Sequence, residues 1–444
     1  MWKHIRNFAT VMAILAPHRF WRYRIYVTAF LLMMAFPAMA ERADSIRRMG
    51  LSLEFVPGRV INMDKYQTKY MKTHDNYSMA LKFNFVSLPS DSNAYAAKFG
   101  YPELGAGIRF CYNNKVTMHR GLDPDWGQAL PVDYDSHLGN TITAYGSFSR
   151  AFFRSRRWET SYSFDFGVGY SHRKYNRHNS IDNDLVGSRW LIYFGAGLYA
   201  TYHISNDWGV KAGVSYYHHS NGALNRPNKG SNMVGPSVAL CYTPYYKELV
   251  QNRKSFRPAA FEKFWYCDVA LGIGAKTMNE DWLKTQYNIA PEDKDYRTDK
   301  FRLYAAYSLQ TDIMYRYEYR YASGIGLDLF YGTYADHVKE LDQKDGFTCK
   351  HSPWSFGVAA KHQVFYHNIS LAMALGVYLH REMGNNAKEI EKPYYERIGI
   401  HYSIPQLHGL TVGCNVKAHL TKADLTELVI SYPIRLTKAK GSTQ

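Results

Sequence analysis

Residues 216–232 read YYHHSNGALNRPNKGSN, and within them His218, Ser220 and Asn221 follow one another as His-x-Ser-Asn. A serine hydroxyl is a weak nucleophile until a base takes its proton, and an imidazole is the commonest such base. The chemistry open to this pair is attack of Ser220 on an acyl carbonyl with His218 as proton acceptor. Pro227 and Gly230 are turn residues, and the chain returns from them at Asn232. The competing reading is a polar strand end dissolving into a loop, and the faces of the flanking strands decide between the two.

Side chains alternate faces along a strand. In 208–220 the even positions are Trp208, Val210, Ala212, Val214, Tyr216, His218 and Ser220, and the odd ones include Gly209, Lys211, Gly213 and Ser215. In 232–242 the even row is Asn232, Val234, Pro236, Val238, Leu240 and Tyr242. If the apolar rows meet lipid, then His218, Ser220 and Asn232 cluster on an outer wall. Polar groups there are costly unless they sit at the interface or have a task. The substrate expected at such a place is a lipid. Pro236 is a candidate bulge. His219 falls in the inward row and is expected to be structural. Two similar stretches serve as controls. His203 and Ser205 in YHISND fall on the inward row at the opposite end, and His419, with Thr421 beyond it, lies beside an apolar row that leaves it facing the lumen.

Sixteen or so alternating segments recur from about 51 to 436, beginning near 51, 78, 101, 140, 158, 188, 208, 232, 264, 299, 322, 353, 370, 394, 410 and 424. Tight connections (155–157, 205–207, 320–322) alternate with long polar ones (115–139, 173–187, 278–298, 336–352, 383–393). That asymmetry belongs to outer-membrane barrels, whose periplasmic turns are short. Aromatic residues reach 16% at a mean hydropathy of −0.40, which suits strands that alternate lipid-facing and lumen-facing positions and excludes a helical membrane protein. Arginines 19, 22 and 24, the run IYVTAFLLMMAF and Ala38-x-Ala40 read as a signal peptide over 1–40. Five basic residues and no acid lie in that segment, so the net charge of +16 falls by five to +11 in the mature chain. Positive charge on an exported protein suggests anionic envelope lipid more than nucleic acid. The five cysteines are widely spaced and odd in number, with no metal or disulfide pattern.

The stretch HHSNGALNRPNKGSN resembles the motif of the PagL-type outer-membrane lipid A 3-O-deacylases, the acyloxyacyl hydrolases. His218, Ser220, Asn221, Pro227, Asn228 and Gly230 match that pattern in order and spacing, tightly over about 208–242. The resemblance implies a barrel with its active site on the lipid-facing wall, and ester hydrolysis with Ser220, His218 and Asn232 as catalytic residues. It places the oxyanion against Asn221 or the Ala223 N–H, with Pro227, Asn228 and Gly230 shaping the loop. Asn232 stands where the family has its catalytic acid, and an amide can orient an imidazole but offers it no charge. No metal or cofactor is implied.

The fold expected is an all-β antiparallel outer-membrane barrel of about sixteen strands (12–16) in one ring, with two tandem eight-stranded barrels as the alternative. Residues 41–243 form the half carrying the candidate site, 244–263 a connector and 264–444 a second half. The function expected is a serine esterase removing an acyl chain from lipid A or a related glycolipid. A non-catalytic barrel, channel or structural, is the alternative. The expected partner is lipid A or lipopolysaccharide of the outer leaflet, with no nucleic acid, and a homodimer is compatible with the fold. Arg173, Lys174, Arg226 and Lys229 are the loop cations placed to meet lipid phosphates.

Overall fold

The computed structural model describes residues 48–437 except 64, 127–128, 253, 288, 388–391 and 421. The expected signal peptide and Thr421 lie outside the described residues. Ten strands come first: β1 (Met49–Val60), β2 (Met71–Val86), β3 (Glu103–Tyr112), β4 (Val116–Met118), β5 (Ser136–His137), β6 (Thr141–Arg154), β7 (Trp158–Ser171), β8 (Trp190–His203), β9 (Trp208–Ser220) and β10 (Ser231–Tyr242). Eight follow: β11 (Phe264–Thr277), β12 (Leu303–Arg316), β13 (Tyr321–Gly332), β14 (Trp354–Tyr366), β15 (Ile369–Arg381), β16 (Tyr394–Ile404), β17 (Leu410–His419) and β18 (Lys422–Arg435). Short helices interrupt the connections: α1 (Ala94–Phe99), α2 (Tyr246–Asn252), α3 (Asn279–Tyr287) and α4 (Ala335–Lys344).

The strands close into two eight-stranded antiparallel barrels. β1 pairs with both β2 and β10, which shuts the first ring, while β4 and β5 extend one end of it as a ribbon. β11 pairs with both β12 and β18, which shuts the second. The single wide ring expected from the strand count is therefore corrected to the tandem pair. The physical reason lies in the lumen. Eight strands leave an interior that side chains can just fill, whereas sixteen leave a water channel. Here the inward rows carry side chains large enough to fill the smaller ring. In the first barrel Glu54 accepts from Ser237 (2.6 Å), Ser215 (3.0 Å) and Arg109 (2.6 Å), and the Arg109 guanidinium lies over the Tyr145 and Tyr217 rings. In the second, Lys361 and Arg397 converge on Asp328 at 2.7 and 3.2 Å, and Asp424 holds Lys276 and Lys417.

Outside, the even row of β9 is turned out: Trp208, Val210 and Val214 are exposed, while Lys211, Ser215 and Tyr217 are buried. Pro236 stays in register opposite Val214, without the expected bulge. Trp190 and Trp354 at one end and Trp158, Trp208 and Trp265 at the other are exposed, as the aromatic girdles of a spanning barrel are.

The two barrels are laced together at both ends. At the end with the tight turns, Arg316 donates to the Tyr95 hydroxyl of α1 at 2.9 Å, and His367 meets Asn93 at 3.1 Å. At the other end Arg297 pairs with Asp182 at 2.6 Å, both 1% exposed. Removing one partner of such a buried pair costs roughly 3–5 kcal/mol, because the other charge is left stranded. Tyr287 of α3 shares a 2.8 Å hydrogen bond with Tyr66, whose phenol is pushed above its ordinary value by burial and by that bond.

Candidate active site

His218 and Ser220 end β9, and Asn232 sits on β10 directly opposite His218. Directly opposed residues on antiparallel strands have Cβ atoms about 5 Å apart, so an imidazole and a short amide meet without distortion. His218 Nδ1 lies 2.8 Å from Asn232 Oδ1, and the Tyr216 hydroxyl donates to the same oxygen at 2.7 Å. Asn232 Oδ1 is a carboxamide oxygen and can only accept, so His218 Nδ1 is the donor in this arrangement. That leaves the proton on His218 Nδ1 and the lone pair on Nε2. Ser220 is opposite Ile192 of β8, two residues and so about 7 Å along the strand from the girdle residue Trp190. The site thus lies at the edge of the apolar belt. Among the described residues the Ser220 hydroxyl has no hydrogen-bond partner, so the i, i+2 spacing leaves it unjoined to His218 here.

Beyond Ser220 the chain turns sharply. Gly222 and Ala223 have φ of 61° and 70°, and Leu224 N closes the turn on Asn221 O at 3.2 Å. Positive φ at both central positions is the requirement of a type I′ turn. The Asn221 amide donates to Asn228 Oδ1 at 2.9 Å, while the Asn221 carboxamide is 2% exposed with neither its oxygen nor its nitrogen partnered. It is a buried polar side chain without a partner, one residue along the chain from Ser220. Pro227 follows a cis peptide from Arg226. Gly230 (φ 74°) donates to Leu185 O at 2.9 Å, which lays its Cα face on the His218 ring: a Cβ there would be 2.5 Å from His218 Cε1.

The structure thus brings His218, Asn232, Ser220, Asn221, Ala223, Asn228 and Gly230 into one neighbourhood. Tyr216 was missed by sequence reasoning, although its place two residues before His218 on the same face was the available signal. The loop cations require correction. Arg226 is 4% exposed and donates to Thr277 O at 2.8 and 3.2 Å, so it faces the second barrel instead of lipid phosphate. Lys174 pairs with Asp299 at 3.4 Å, and Lys229 lies over the Tyr66 ring. Arg173 is exposed. His219 is buried and 2.9 Å from Thr143 Oγ1. His203 is buried against the Tyr246 ring, and His419 is fully buried, with Nδ1 2.8 Å from Tyr394 O.

Asp342, Cys349 and His351 in the second barrel are the donors close enough to share a metal ion among the described residues. Asp342 Oδ2 already receives Cys349 Sγ (3.0 Å), His351 Nε2 (2.7 Å) and the Asn385 amide (2.7 Å), so the cluster is satisfied as a loop anchor.

Residues 107–240 match the family described as lipid A 3-O-deacylase (PagL), and residues 265–436 match the acyloxyacyl hydrolase C-terminal domain. The chain belongs to the PagL-type family of outer-membrane lipid A deacylases, a family of hydrolases, and its second barrel is a recognised part of such proteins. Comparison with curated proteins finds no match. Among solved structures, a mutant porin of Rh. blastica is 7% identical over 87% of this chain and 99% of that one, with a TM-score of 0.15. CdiB from Acinetobacter baumannii is 11% identical over 87% and 60%, with a TM-score of 0.19. Scores this low carry no argument.

Proposed function

We propose that the protein is a serine esterase of the outer membrane that removes an ester-linked acyl chain from lipid A or a closely related glycolipid. The observation that carries this reading is the Tyr216–Asn232–His218 hydrogen-bonded set beside Ser220, on the outward face at girdle depth. Ser220 Oγ attacks the acyl carbonyl as His218 Nε2 takes its proton. Asn232 Oδ1 keeps the Nδ1–H in place throughout, which selects the tautomer that leaves Nε2 basic. The Ala223 N–H and the Asn221 carboxamide meet the oxyanion. Collapse of the tetrahedral intermediate breaks the ester C–O bond, the imidazolium protonates the departing sugar oxygen, and water then frees the fatty acid from Ser220 by the reverse proton route.

The hydroxyl and imidazole must move together for the reaction, and such bonds are often long before substrate arrives. The absent Ser220–His218 bond and the amide at position 232 favour the second reading, a non-catalytic barrel. The filled lumens weigh against the channel form of that reading.

Lipid A mass spectrometry on cells with the wild-type chain or Ser220→Ala, at equal membrane levels, tests the reading. Loss of one hydroxyacyl chain with the wild type alone is expected. Identical spectra would remove deacylation of that lipid A.

A further inference from the structure

The turn that carries the Ala223 N–H is held from the second barrel. Thr426 of β18 donates its hydroxyl to Gly222 O at 2.7 Å. Thr277, the last residue of β11, donates both its backbone N–H (2.8 Å) and its hydroxyl (2.9 Å) to Ala223 O. Arg226, on the far side of the same loop, returns two hydrogen bonds to Thr277 O. The contacts join residues about 50 and about 200 positions apart, and those of the two threonines fall on two consecutive peptides beside Ser220.

The geometry of a peptide gives the Thr426 contact its meaning. Gly222 O and the Ala223 N–H belong to one planar trans peptide, so they point in opposite directions. Holding the carbonyl fixes where the N–H points. A hydrogen bond on the carbonyl also polarises the unit and strengthens the N–H as a donor. The turn needs this support, since Ala223 is a non-glycine in the left-handed region, which costs about 1 kcal/mol or more unless the surroundings hold it there. The pair also explains why position 222 is glycine: an added Cβ would press on the Thr426 hydroxyl and come within 2.7 Å of Ile192 Cδ1.

We infer that the second barrel is a working part of the active site, with Thr426 the positioning residue that aims the Ala223 N–H at the oxyanion and Thr277 its support. This rests on the deacylase reading above. The first barrel carries the nucleophile and base, and the second presets the turn that receives the negative charge. Neither threonine touches substrate in this scheme.

The test measures fatty-acid release from lipid A in detergent micelles by the purified full chain. Thr426→Val keeps the shape and removes the donor. Removing one oxyanion donor outright costs roughly 100- to 1000-fold, so loosening its aim is expected to lower kcat about tenfold with KM within about twofold. Thr426→Ser restores the hydroxyl and is expected to restore kcat, which a purely packing role would not require. Thr277→Val keeps the backbone donor and is expected to lower kcat two- to threefold, on the order of a partial loss of aim. It decides the matter if Thr426→Val fails to show the compact, heat-modifiable mobility of a folded barrel. Wild-type kcat in the folded threonine variants, with Ser220→Ala inactive, overturns the role of the second barrel and leaves the esterase standing. Full activity of Ser220→Ala overturns both.

Discussion

Gly230→Ala separates the position of His218, the proposed base, from the stability of the loop that presses on it. Two costs are expected. The first is conformational: φ at 230 is 74°, and an alanine in that region costs about 1–2 kcal/mol. The second is a collision, since the new Cβ would sit 2.5 Å from His218 Cε1 and 3.3 Å from both ring nitrogens. Ordinary contact begins near 3.4 Å, so the ring or the loop must yield by about 1 Å, the scale at which a misplaced catalytic group costs about 100-fold in rate. The ring cannot slide freely, because Asn232 holds its Nδ1 at 2.8 Å. A 100-fold loss corresponds to about 2.7 kcal/mol of transition-state stabilisation. Gly346→Ala is the control: its φ is 75° and nothing lies within 4 Å of the added carbon, so it carries the conformational cost without the collision. In urea titrations of the purified protein Gly346→Ala is expected to show the conformational cost alone and Gly230→Ala that cost plus the collision, and Gly230→Ala alone is expected to lose about 100-fold in kcat for fatty-acid release. Equal activity of the two variants would refute the placement of His218 as the base.

Two further outcomes follow from the same geometry. Asn232→Asp supplies the charge that an amide lacks, and kcat is expected to rise about tenfold or more; an unchanged or lower rate in a folded variant would mean that orientation alone is what position 232 provides. In the outer loops, the 2.6 Å contact from Asp281 holds the His337 imidazole above its ordinary pKa, with burial opposing. A raised value in the folded state means that the stabilisation is complete below the unfolded value of about 6.5 and fades as pH rises through the folded one. The protection of the α3 amides, taken as exchange relative to the intrinsic rate at each pH, is accordingly expected to be greater at pH 5.5 than at pH 8.5, and His337→Asn is expected to erase that difference.

What could be read from the sequence was whatever depends on strand alternation. The even row of β9 told which way His218 and Ser220 face, because a period of two leaves no third choice, and the same alternation separated them from His203 and His419. Asn232 could be grouped with His218 on one wall because a ten-residue loop joins adjacent strands, while their direct opposition needed the register of the structure. Ring closure was not legible, since the pairing of β1 with β10 and of β11 with β18 depends on contacts far apart along the chain that local pattern does not encode. For the same reason Thr277 and Thr426 looked like ordinary strand residues. Arg226 looked like a surface cation because charge alone does not reveal a buried carbonyl waiting across an interface.

The packed interiors of both barrels bear on the cell's permeability barrier. Sixteen strands joined as one ring would open a route for small solutes in every copy inserted. Divided into two filled rings, the same strands present a comparable wall to lipid and open no such route. Inserted copies are therefore expected to leave the passage of small solutes across the membrane unchanged.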